Sequence, residues 1–135
     1  MSSSLAARGN AIIPVTGVDL SAKLGKLVKF TAGAPAANGS ATVPATGVVL
    51  EGNLSTQQSS VGILGVLPFP VRVQISGTAT QLYQGDTIIQ AADDTFTNDP
   101  GTGTGRVVVG VITCPTGAVA GDLCEAALFT PQIRT

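Results

Sequence analysis

Apolar residues along this chain fall into short runs parted by Gly, Pro, Asn and Asp. The runs are Ile12 to Val18, Leu27 to Thr31, Val48 to Glu51, Val61 to Leu67, Val71 to Ser76, Thr87 to Ala91, Arg106 to Thr113 and Cys124 to Phe129. Strand-length pieces at fairly regular spacing with turn residues between them predict a β-sandwich or a small β-barrel. Val71, Arg72, Val73, Gln74 and Ile75 alternate with the period of a strand that has one wet face, so Arg72 and Gln74 are expected to point outward. Val107 to Ile112 is continuously apolar, the pattern of a central strand covered on both sides. Helical spacing is confined to Leu20, Leu24 and Leu27, with Gly25 inside the piece, so a single short turn is expected there. Ala32 to Pro44 and Leu54 to Ser60 carry no charge and lack either period; both read as loops. Met1 to Ala11 has no periodicity and reads as a flexible arm ahead of one domain over 12–135.

Composition reinforces the strand pattern. Val, Ile and Thr total 39 residues whereas Glu and Lys, which normally pave exposed helices, total 5. The 135 residues fit one domain with room for a real core. Charged residues are 11% of the chain and the net charge is -1, which argues against nucleic-acid or electrostatic membrane binding. No apolar run approaches the ~20 residues that cross a bilayer as a helix, and the first residues lack a signal peptide's apolar stretch. A soluble protein made inside the cell is therefore expected. The chain has no His, which removes the commonest proton shuttle and metal ligand together with every Ser/His or Cys/His pair. No enzyme activity, cofactor or metal is expected.

The remaining chemistry is sparse. Gly101, Gly103 and Gly105 lead into a strand, whereas phosphate loops lead into a helix, so a flexible connection is the better reading. Asp93, Asp94 and Asp99 lack the glutamate that would complete a calcium loop, and a solvated hairpin tip between Thr87 to Ala91 and Thr95 to Thr97 is favoured. Cys114 and Cys124 flank a loop centred on Val119, so a symmetric hairpin sets them opposite each other at a spacing compatible with a disulfide. With no export signal, reduced and buried thiols are expected. Lys23, Lys26 and Lys29 fall within seven positions; they read either as the guard of an exposed strand edge or as a contact patch for an acidic protein surface. With Leu5 and Arg8 of the arm they are the candidate partner-binding residues. Ile63 to Leu67 echoes Val108 to Ile112, and each is followed by a Gly-Asp pair, Gly85-Asp86 and Gly121-Asp122, ordinary turn chemistry that two similar hairpins would explain.

From Val61 to Phe129 the order of parts is more specific. It runs GILGVLPF, VRVQISG, QLYQGDTI, DPGTGTGR, VVVGVI and AVAGDLCEAALF. This order resembles the small capsid cement, or head decoration, proteins of tailed bacteriophages. The resemblance implies a compact β domain with no catalytic site that binds the outside of an icosahedral shell and bridges neighbouring capsid subunits. Its implied partners are the major capsid protein and copies of itself, a trimer included, with the outer capsid surface as its location after synthesis in the host cytoplasm. Another β-rich virion component, shell-forming or from the tail, and a small ligand-binding barrel are the alternatives.

Overall fold

Each half of the chain builds its own antiparallel sheet. The computed structural model describes residues 11–135. The first sheet contains β1 (Ile12–Thr16), β2 (Leu27–Thr31), β3 (Ala34–Ala37), β4 (Gly47–Asn53) and β5 (Gln58–Ile63) in the order β1-β5-β4-β2-β3. The second contains β6 (Val71–Gln74), β7 (Thr87–Gln90), β8 (Phe96–Asn98), β9 (Arg106–Ile112) and β10 (Leu123–Arg134) in the order β6-β10-β9-β7-β8. The only helical piece among the described residues is a single 3-10 turn, Ser21–Lys23, where the Leu20, Leu24, Leu27 spacing predicted one. The all-β expectation holds.

The sheets share a core because each contributes one apolar face. Leu27, Val48 and Leu64 of the first half meet Val73, Ile75, Ile88, Phe96, Val107, Val109 and Ala126 of the second, all buried. β6 shows the strand period directly: Val71 and Val73 are buried, Arg72 is exposed and Gln74 is half-buried. β9 lies between β10 and β7, as its unbroken apolar run required. A second, smaller cluster of Val15, Val28, Val49 and Val61 covers the other face of the first sheet. There the segment from Val18 to Leu24 crosses over the strands. The Ser59 hydroxyl donates to the Val18 carbonyl and accepts from the Leu20 N–H, both at 2.9 Å, which satisfies backbone groups that the crossing would otherwise bury unpaired. Gly52 sits under this crossing, where a Cβ would collide with the Ser21 backbone.

Single backbone bonds tie the two sheets together. The Gln74 N–H donates to the Gly25 carbonyl at 2.9 Å and the Leu27 N–H donates to the Asp94 carbonyl at 2.8 Å. Gly25 has φ +74, and a Cβ there would lie 2.8 Å from the Gln74 nitrogen, so glycine serves both the turn and the close approach. A third tie is a side chain. Gln90, 1% exposed, accepts from the Ala45 N–H at 2.8 Å and donates to the carbonyls of Val43 (2.8 Å) and Ser40 (3.2 Å).

Four expectations need correction. The stretch Ala32 to Pro44 contains β3, whose Ala- and Pro-rich sequence has little intrinsic strand preference and is held by pairing with β2, at a sheet edge where Pro35 is tolerated. The stretch Leu54 to Ser60 contains the start of β5, polar because Ser59 is used for hydrogen bonding. The Ile63 to Leu67 half of the internal echo turns away after Ile63, with Gly65 at φ +86, while Val108 to Ile112 is strand. Ala11, assigned to the arm, is buried, and its carbonyl accepts the Ile63 N–H at 2.9 Å, so the fold starts one residue earlier. The rest of that arm, Leu5 and Arg8 included, lies outside the described residues.

Candidate functional site

The three lysines do not form one patch. Lys23, on the 3-10 turn, places Nζ 3.9 Å from Asp94 Oδ2; Lys26 is half-buried in the turn that leads into β2; Lys29 is exposed on β2. β2 is an interior strand between β4 and β3, so edge protection does not explain Lys29. Asp94, at φ 62, is buried beside Lys23, whereas Asp93 is exposed and accepts from the Thr95 hydroxyl, so the hairpin tip is only half solvated. Burial raises the pKa of the Asp94 carboxyl; the charges of Lys23 and Lys26 oppose that rise and Asp93 adds to it. Two of the three lysines, Lys23 and Lys26, thus act on an internal carboxylate.

Asp99 is drawn elsewhere. Its Oδ1 accepts from Arg106 Nε at 2.8 Å and from the Gly101 N–H at 2.9 Å, while Arg106 Nη1 donates to the Gly103 carbonyl at 2.9 Å. The GTGTG segment is therefore tied down by a partly buried ion pair and cradles the chain's own arginine. No group of three or more His, Cys, Asp or Glu side chains among the described residues converges to hold a metal ion. Likewise no described helix is long and apolar enough to cross a membrane.

The feature that the sequence did not single out is an apolar stripe along the seam between the sheets. Leu24, Leu50, Arg72 and Leu123 line a groove of about 210 Å³ together with Gly25 and Val49. Leu50 and Leu67 both rest on Gly62, where a Cβ would meet methyl groups of both. Leu67, with Pro68, Phe69, Pro70, Ala127 and Leu128, then lines a second groove of about 180 Å³. The stripe is wet: Leu24 is 40% exposed, Leu123 47% and Phe69 47%. Its one charged side chain, Arg72, is paired in register with Glu125 of β10. Leu24, Leu123 and Phe69 fall between the apolar runs, where the hydrophobic pattern does not say which face a side chain takes.

A second exposed apolar pair stands at the far end of the second sheet. Leu82 and Ala118 exchange backbone bonds at 2.8 and 3.0 Å, which sets the two Gly-Asp turns side by side. They are built alike: Tyr83 N–H donates to Asp86 Oδ2 at 2.7 Å, and Val119 N–H donates to Asp122 Oδ2 at 2.9 Å. Gly85 and Gly121 both have positive φ, as the sequence pair required. Tyr83 and Val119 are left 65% and 48% exposed. Both cysteines are free; Cys124 is buried and Cys114 is half-buried rather than enclosed. No family model and no curated protein matches the chain.

Proposed function

We propose that the chain is a structural virion protein, a capsid decoration protein that binds the outside of a tailed-phage head and bridges neighbouring capsid subunits. The observation that carries this reading is the stripe of half-exposed Leu24, Leu123 and Phe69, joined by the partly buried Leu50 and Leu67, on a chain with 11% charged residues. Apolar groups held in water on rigid strands and short turns suit burial against another protein, because they surrender little side-chain entropy on docking. A surface poor in Lys and Glu also resembles the charge-depleted centre of a protein interface. The order of elements from Val61 to Phe129 supports a capsid as that partner. Many copies, each covering a subunit junction, must be displaced together before a shell opens, so modest affinity per copy suffices.

The test is co-sedimentation of the purified chain with heads that lack it. Phe69→Ser and Leu123→Ser each remove a half-exposed anchor and should weaken binding about 5- to 30-fold, the range for a strong interface residue. Melting temperatures should change little, because neither side chain belongs to the buried core. Undiminished binding of both variants would remove the stripe from the interface.

A further inference from the structure

β9 and β10 are paired so that Val111 faces Ala127 and Ile112 faces Ala126. The Thr113 N–H donates to the Glu125 carbonyl at 3.0 Å and the Cys114 N–H donates to the same carbonyl at 3.3 Å, so Thr113 and Cys114 both stand opposite Glu125 where the ladder ends, one position from Cys124. Ile112 and Ala126 lie in the core, and the strand period of two brings Cys124 to the same face. Cys124 is buried there and Cys114 packs against the same cluster. Cys114 and Cys124 therefore stand at the mouth of one hairpin loop, beside the last paired positions, where cross-strand neighbours lie within the range a disulfide spans.

We propose that Cys114 and Cys124 form a reversible cross-strand disulfide, closed by a small disulfide oxidant such as oxidised glutathione. The two thiols divide the work. The Thr116 hydroxyl lies 3.2 Å from Cys114 Sγ and lowers the pKa of this accessible thiol, whereas burial pushes Cys124 up to about 11. Cys114 gives up its proton to solvent and attacks one sulfur of the oxidant; the oxidant's S–S bond breaks and one glutathione thiolate leaves. Cys124 then loses its proton to solvent and attacks the Cys114 sulfur, forming the Sγ–Sγ bond and expelling the second glutathione thiolate. Two protein thiols are oxidised and one glutathione disulfide is reduced. The closed loop contains Ala118 and Val119, so the bond would brace the Gly-Asp turn that pairs with Leu82 and exposes Val119 beside Tyr83.

The experiment starts with the reduced full chain, which should titrate two thiols when denatured, and adds graded oxidised glutathione. Intact mass, thiol count and melting temperature are followed. The expected product is a monomer that has lost two hydrogens and both thiols, with a melting temperature raised by about 10 °C, the shift expected for closing a loop of this length. Cys124→Ala should stop at a single glutathione adduct, and Cys114→Ala should react at least tenfold more slowly than the wild type. A wild-type chain that keeps a stable glutathione adduct and a free Cys124, that forms a disulfide-linked dimer, or that does not react would overturn the proposal.

Discussion

Replacing Gln90 with Leu tests the main polar tie between the two sheets. Gln90 lies on β7 and holds the segment 40–45 through three hydrogen bonds. Leu has similar volume, so the packing change alone should cost less than about 1.5 kcal/mol. The larger effect is on the partners. Asn38 Nδ2 also donates to the Ser40 carbonyl (3.2 Å) and the Val43 carbonyl (3.1 Å), so both acceptors stay satisfied. The buried Ala45 N–H loses its partner outright, and an orphaned buried amide costs about 1–3 kcal/mol. The sum is about 2–4 kcal/mol, or roughly 8–15 °C in melting temperature for a chain of this size. Urea denaturation of Gln90→Leu, Asn38→Leu and the double variant gives the decisive reading. The double variant strips both carbonyls of their last side-chain donor, so its loss should exceed the sum of the singles by about 1 kcal/mol or more. A loss under about 0.5 kcal/mol for Gln90→Leu, or additivity within about 0.3 kcal/mol, would refute the assignment of Gln90 as the tie.

Gly25→Ala should destabilise the fold by about 2–4 kcal/mol in denaturant titration, since it combines a left-handed backbone with a Cβ 3.1 Å from the Arg72 carbonyl oxygen and 2.8 Å from the Gln74 nitrogen. Asp94→Asn keeps a residue type that tolerates the positive φ and removes a carboxylate that burial disfavours. Because the folded pKa is raised, the wild-type chain carries a penalty above that pKa which disappears as pH falls toward the unfolded value. The variant should therefore melt higher than wild type near pH 7, with the difference vanishing in acid; a difference independent of pH would show that burial does not govern this carboxylate. Removal of residues 1–10 leaves the Ala11 carbonyl that binds Ile63, so melting temperature should move by less than about 2 °C while binding to heads weakens; unaltered affinity would exclude Leu5 and Arg8 as contacts.

Strands built on apolar runs, alternating in one case and continuous in another, were legible in the sequence. β6, β7 and β9 fall where Val71 to Ser76, Thr87 to Ala91 and Arg106 to Thr113 placed them, because each buries apolar side chains, Val73, Ile88 and Val109 among them, in the shared core. The symmetric register about Val119 was legible for the same reason, since the Gly-Asp turn fixes the hairpin. β3 and the polar start of β5 were not, because pairing with neighbours rather than their own side chains makes them strands. Nor could the sequence show that the segment from Val18 to Leu24 folds over the first sheet, which gives Val28, Val49 and Val61 a second buried face. The lysines were visible as a cluster along the chain. Asp94, 65 or more positions away from all three, is the buried carboxylate that Lys23 and Lys26 act on, and a linear reading has no access to that contact.

The central claim is that this chain reinforces a phage head from outside. Heads assembled with and without it, filled with DNA and heated in parallel while DNA release is followed by dye fluorescence, test that claim most directly. Complete heads should hold their DNA to a higher temperature, and adding the purified chain back to deficient heads should restore the difference. Release at the same temperature from both would contradict the account.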